Sequence, residues 1–279
     1  MLKILTSLHG RLVGLNRHQQ IQALNGFVAG GDDRPAIAVP GSPDTVAMFH
    51  DFIGPLALDT GSIDLGTAGD GLYYGTVDTG QAHSRAIVTN GVHRMTPSAT
   101  SVQTPVGGVM SVVSGLHWKA NQGRLRMSAR VKITSLSGTN LFVGFSDTGQ
   151  NELPVYDTGG GILTPAADYA GFIYSAGASS PSANWRGVAG KAGTDQTATF
   201  AVAQPPTVNV YDRLEIDMNE SGNLIRFGVN GKLVGTIASA GLTPTVALSA
   251  GVWLSNTEAA ASAVDIDWLA ASAARDTGT

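Results

Sequence analysis

Glu215, Asp217 and Glu220 form an E-x-D-x-x-E run inside residues 213–237, RLEIDMNESGNLIRFGVNGKLVGTI. Carboxylates two residues apart on a strand project from one face, and such a pair can supply the nucleophile and acid of a retaining glycosidase. Two features weigh against that chemistry. Glu220 falls in the turn 219–223 rather than on the strand, and positions 205–235 hold no Trp to stack on a sugar. The six His, at 9, 18, 50, 83, 93 and 117, show no i, i+2 or i+4 pairing and no HExxH, so a His metal site has no support. Asp147, Asn151, Glu152 and Asp157 make an oxygen-rich loop of a kind that can bind calcium, but without an EF-hand pattern the expectation is a solvated loop. The absence of Cys removes disulfides, thiolate zinc sites and cysteine nucleophiles. G-x-S-x-G, P-loop and dinucleotide fingerprints are also missing. The expectation is a protein that is not an enzyme and carries no cofactor or metal.

The carboxylates are carried by a meander. Leu214, Ile216 and Met218 alternate with Arg213, Glu215 and Asp217, the two-residue period of a strand with one buried face. Ile225, Phe227 and Val229 repeat the pattern after the turn, and Asn230-Gly231 supplies the two residues that tolerate positive φ in a type I′ hairpin leading into Lys232–Ile237. Three such strands cannot bury an apolar face alone and must lie against a second sheet. The strongest alternation is Arg124–Ile133, with Leu125, Met127, Ala129, Val131 and Ile133 on one face and Arg124, Arg126, Ser128, Arg130 and Lys132 on the other. Acidic neighbours on an adjacent strand, such as Glu215 and Asp217, are the expected partners of those cations. The alternative is that Arg124, Arg126, Arg130 and Lys132 form a contact strand for an acidic partner. Further strands are expected at 86–88, 109–113, 141–146, 171–175, 197–202, 246–254 and 263–269, with Gly- and Ser-rich loops at 157–161 and 175–184. His117-Trp118, Trp185, Trp253 and Trp268 read as core or half-buried anchors rather than sugar platforms.

The 279 residues include 36 Gly and only 14% charged residues, as expected of many strands joined by many turns. A net charge of −4 provides no basic field for nucleic acid or an anionic membrane, and no run approaches the roughly 20 apolar residues that span a bilayer. Thr6, Ser7, His9 and Arg11 interrupt the N-terminus before a signal-peptide core, so a soluble product without a cleaved signal is expected. Residues 1–45 read as an N-terminal arm and Gly/Pro linker, 46–270 as the β-sandwich and 271–279 as a flexible C-terminal tail. In the arm, Leu5, Leu8, Leu12 and Leu15 have helical spacing, but Gly10 and Gly14 each cost a helix about 1 kcal/mol, which favours an extended arm. With Lys3, Arg11 and Arg17 and no acidic residue before Asp32, the arm is weakly cationic, and these leucines and cations are candidate contacts to an acidic surface.

The EIDMNE run resembles the catalytic motif of jelly-roll glycosidases, from which it departs at Asn219. A broader set of segments is HWKANQGRLRMSARVKI from His117, LFVGFSDTGQNELP from Leu141, DYAGFIYSAGASSPSANWRGVAGKAGTD from Asp168, DRLEIDMNESGNLIRFGVNGKLVGTI from Asp212 and VDIDWLAAS from Val264. In this order they resemble a concanavalin A-like, laminin-G-like jelly-roll domain of tailed-bacteriophage virion proteins. The FHDF element at Phe49 fits the start of that domain, and LTSLHGRLVGLNRHQQ resembles the arm that opens such chains. The resemblance implies an all-β, two-sheet antiparallel jelly-roll sandwich with an extended N-terminal arm. It also implies a virion structural protein made in the host cytoplasm, of the head-fibre type or, as favoured here, one that decorates or cements the capsid surface as a dimer or trimer. The partners would be the major capsid protein and sister subunits. A carbohydrate-binding receptor module of a tail fibre or spike is the alternative, with glycan a possible but less favoured partner.

Overall fold

A computed structural model describes residues 45–50, 52, 72–76, 81–86, 91–97, 108–122, 124–149, 152–157, 162–175, 184–198, 200, 202–219, 221–238, 241–256 and 262–274. In chain order the strands are β1 (Thr45–His50), β2 (Leu72–Thr76), β3 (Ala82–Ala86), β4 (Val92–Thr96), β5 (Met110–Ser114), β6 (Arg126–Ile133), β7 (Thr139–Ser146), β8 (Tyr156–Asp157) and β9 (Ile162–Leu163). They continue with β10 (Tyr169–Ser175), β11 (Arg186–Lys191), β12 (Thr194–Thr197), β13 (Tyr211–Met218), β14 (Leu224–Val229), β15 (Lys232–Ala238), β16 (Ser249–Asn256) and β17 (Val264–Ala274). One sheet runs β15-β14-β13-β6-β17-β4-β3, with β1 also paired to β17; the second runs β12-β11-β10-β7-β16-β5-β2, and β8 pairs with β9.

The main core lies between the two sheets. Met127, Ala129, Val131 and Ile133 of β6, Leu214, Ile216 and Met218 of β13, and Ile225, Phe227 and Val229 of β14 are all buried, the faces that alternation selects. Facing residues come from the second sheet, including Leu141, Val143 and Phe145 of β7 and Phe172 of β10. The hairpin between β14 and β15 turns on Asn230 (φ 52°) and Gly231 (φ 78°), as two positive φ values require of type I′.

The central strands of the second sheet are buried on both faces. Phe142, Tyr169, Ile173, Val188 and Trp253 point away from the main core and join a separate apolar layer with Leu153, Val155, Tyr156 and Ala166, contributed by β8 and the segments around the β8–β9 pair. Burial on both sides removes the reason for a polar face, and β7, β10 and β16 accordingly show no alternation.

Several boundaries differ from expectation. The C-terminal tail does not begin at 271: β17 continues to Ala274, paired with β1, and Ala271 and Ala273 are buried. The run of small residues ASAA disguises a strand because alanine contributes little apolar bulk to the pattern. The strand expected at 197–202 ends at Thr197, where β12 closes against β11. Arg124 precedes β6 at a φ of 35°, outside the strand it was expected to open. The arm 1–44 lies outside the described residues.

Candidate functional site

The outer face of the first sheet carries the charged side chains. Register places Asp217 opposite Arg126, Glu215 opposite Ser128 and Arg213 opposite Arg130, while β17 lies on the other side of β6 with Asp265 opposite Lys132. Asp265 takes Nε and a terminal N–H of Arg94 at 2.6 and 2.9 Å and the Lys132 ammonium at 2.8 Å. Burial opposes its charge, yet hydrogen bonds from Arg94 and Lys132 outweigh this and hold its carboxyl below the usual carboxylate range. Arg130 bonds Asp267 at 2.5 Å, and its guanidinium and the Lys132 ammonium lie 4.5 and 4.9 Å from the ring centre of Tyr211. Burial, followed by the charges of Asp265 and Asp267, pushes the Tyr211 phenol up to about 12.

At the opposite end of β6 three arginines converge on one carboxylate. Arg124 Nε and Arg126 Nε reach Asp217 Oδ1 at 3.2 and 2.9 Å, and Arg226 reaches Oδ2 at 3.4 Å. Burial again opposes ionisation, but the bonds from Arg124 and Arg126 leave the Asp217 carboxyl below its ordinary range. Glu215 lies instead beside Arg213, at 3.4 Å. Arg126, Glu215, Asp217 and Arg226 border a groove of about 380 Å³ that also takes in Ser128, Lys232, Leu233 and Ser272. A second pocket of about 500 Å³ is lined by Arg124, Asn219, Ser221 and Arg226. The expected pairing of the basic strand with acidic neighbours is therefore present at Asp217, whereas Glu215 serves a cation on its own strand. Asp265 and Asp267, the other partners, were not anticipated; their alternation in VDIDW was the available signal.

Glu220, like Lys3, Leu5, Leu8, Arg11, Leu12, Leu15 and Arg17, lies outside the described residues. In the oxygen-rich loop, burial pushes the Asp147 carboxyl up, and the nearby Asp168 charge adds to the rise. Asn151 lies outside the described residues, and among those described no three His, Asp or Glu side chains gather into a metal-sized cluster. All four Trp are buried, at 2% exposure or less for Trp185 and Trp253 and 3% and 6% for Trp118 and Trp268. Trp185 donates its indole N–H to the buried Asp212 at 3.0 Å, and Asn230 donates to the other oxygen at 2.9 Å, so the tryptophan is tied to the β14–β15 turn.

A pair of histidines escaped the sequence reading because it depends on the β3–β4 hairpin. His83 and His93 are diagonal neighbours there, with His83 Nδ1 2.9 Å from His93 Nε2 and His83 Nε2 2.9 Å from the Gly75 carbonyl of the opposite sheet. The carbonyl can only accept, so His83 carries its proton on Nε2 when neutral and His93 donates to His83 Nδ1. Burial lowers the His83 pKa to about 4, partly offset by the Gly75 bond. The unfolded chain, with a His pKa near 6.5, then takes up the proton first as pH falls. The stability this residue contributes is full above about pH 6.5 and is lost as pH falls towards 4, a loss of about 2–3 kcal/mol. Urea midpoints at pH 7 and 4.5 should show that drop, and His83→Gln, which can still donate to Gly75, should flatten it; an unchanged slope would remove His83 as its source.

No family model matches the sequence, and no curated protein matches it either. Solved structures do share the fold. A protein of unknown function, SO2946 from Shewanella oneidensis MR-1, is 12% identical, with 85% of this chain and 90% of that chain covered and a TM-score of 0.56. The carbohydrate recognition domain of Emp47p is 10% identical over 84% of this chain and 98% of its own, with a TM-score of 0.50. A native glycosidic hydrolase is 11% identical over 80% and 94%, also at 0.50. The chain folds as an antiparallel two-sheet jelly-roll sandwich of the concanavalin A-like kind.

Proposed function

We propose that this chain is a structural protein of a tailed-bacteriophage particle that decorates or cements the capsid surface through contacts with the major capsid protein and with sister subunits. The ordered motifs from His117 to Val264 support the virion assignment, since they resemble one kind of phage domain within a fold that serves many functions. The observation that favours a protein-contact role over sugar binding is the burial of all four Trp, because glycan sites stack sugar rings on exposed aromatic faces. Asp217, kept ionised by arginines, cannot hold the proton that the general acid of such a pair must deliver. The alternative, a glycan-binding receptor module, draws on the fold shared with the Emp47p carbohydrate recognition domain.

The full chain is expected to co-sediment with capsids in fixed stoichiometry. It should show no glycan preference and release no reducing ends from β-glucans, agars or host envelope polysaccharide. Removing residues 1–44, which stops short of β1, should abolish co-sedimentation and leave a cooperatively unfolding sandwich. Saturable glycan binding without shell binding would replace this reading with the receptor module, and hydrolysis abolished by Glu215→Gln would replace it with an enzyme.

A further inference from the structure

The four cations of the basic strand have unequal surroundings. Lys132 and Arg130 are matched by Asp265 and Asp267 and are only 20% and 28% exposed at the side chain. Arg124 and Arg126, together with Arg226 from β14, share the single carboxylate of Asp217 and remain 53%, 40% and 42% exposed. Among the described residues, three positive charges around one negative leave an excess of two at this carboxylate in a chain whose net charge is −4. The contacts are made through Nε of Arg124 and Nε of Arg126, so the terminal amino groups of both guanidiniums are not used in these bonds to Asp217. Beneath them Asp217 acts as a fixed counter-charge that orients the three forks, the arrangement in which arginine recognises carboxylates through paired N–H donors.

Arg124 also occupies a backbone conformation that few non-glycine residues adopt, with φ at 35°, directly before the strand. A glycine there would relieve the backbone, so the arginine carries a local conformational cost. Between Arg124 and Arg226 opens the pocket of about 500 Å³, whose rim adds the Asn219 amide and the Ser221 hydroxyl. Asn219, Ser221 and Asn223 hold one another by hydrogen bonds of 2.6–3.1 Å, which makes this rim a defined surface.

We propose that Arg124, Arg126 and Arg226 form a docking site for a carboxylate-rich segment of a partner protein, with the internally bonded turn of Asn219 and Ser221 as its uncharged edge. The site is open and the cations are spread over two strands and a lead-in turn, which suits several carboxylates on an extended segment better than one enclosed small anion. The proposal rests on the protein-contact reading and adds to the contacts of the arm a second one at one end of the basic strand.

The test uses the full chain and a fluorescein-labelled deca-glutamate peptide, followed by anisotropy at low salt. Saturable binding is expected, weakened about tenfold or more by Arg226→Gln and by Arg124→Gly and lost at high salt. Lys191→Gln, which removes an exposed cation on β11 of the other sheet, should leave it unchanged. Arg124→Gly guards against misfolding as the cause, because it relaxes the backbone; its thermal midpoint should equal or exceed that of the unaltered chain. Absence of saturable binding, equal weakening by Lys191→Gln, or stabilisation by inorganic phosphate without peptide binding would each overturn the proposal. No capsid enters the assay, so its failure is distinct from failure of shell binding.

Discussion

Phe227→Ala is expected to destabilise the sandwich by about 3–5 kcal/mol, whereas Arg226→Ala, one residue away, should cost under about 1 kcal/mol. Phe227 is fully buried and its ring meets Phe172 of the opposite sheet edge to face, with centroids 5.3 Å apart. It also covers Gly187 of β11, where an added Cβ would lie 2.7 Å from the ring, so glycine on one sheet and phenylalanine on the other are complementary in shape. Truncation would remove the contact that joins β14 to β10 and β11 and leave a cavity that backbone on both sides keeps from collapsing. Arg226 stands on the outer face, 42% exposed, and its contact with Asp217 is a long one at 3.4 Å. Chemical denaturation of both variants measures the difference; equal losses would mean that the two faces of β14 contribute alike and that the core is not where the packing places it.

Gly144→Ala should cost more than about 3 kcal/mol although it adds one methyl group. Gly144 pairs across β7 with Gly171 of β10 and Gly251 of β16, so three adjacent strands carry glycine at one level. A Cβ on Gly144 would fall 2.3 Å from the Ala170 carbonyl oxygen and 2.5 Å from the Gly171 Cα, both backbone atoms that can move only if β10 leaves β7. The neighbours are equally closed: a Cβ on Gly171 would meet the Phe142 ring at 2.6 Å, and one on Gly251 would meet the Val112 carbonyl at 2.6 Å. Steric exclusion rather than positive φ demands glycine here. Gly149→Ala is the control, since nothing lies within 4 Å of its Cβ position, and it should change stability by less than about 0.5 kcal/mol. Comparable urea midpoints for the two variants would show that the strands can part without loss.

Much of the first sheet was legible in the sequence because its strands have unlike faces. In β6, β13 and β14 one side meets the main core and the other meets water, and that difference writes apolar and charged residues in alternation. The Asn230-Gly231 turn was legible for an equally local reason, the positive φ values that a two-residue hairpin imposes. Together these determined a meander, its buried face and the need for an opposing sheet.

Tertiary structure alone decided the rest. β7, β10 and β16 lie beneath a second apolar layer, so both faces select apolar or small residues and the period disappears. Ion-pair partners follow from register between strands far apart in sequence: Arg94 meets Asp265 across 171 residues and Arg126 meets Asp217 across 91. The pattern of β6 displayed four cations on one face, but no local signal distinguishes the two that aspartates of β17 neutralise from the two that share Asp217 with Arg226. A strand's own sequence records whether each face is wet or dry, because burial acts on every residue separately. Which charge stands beside which depends on how strands pair, and that is a property of the assembled sheet.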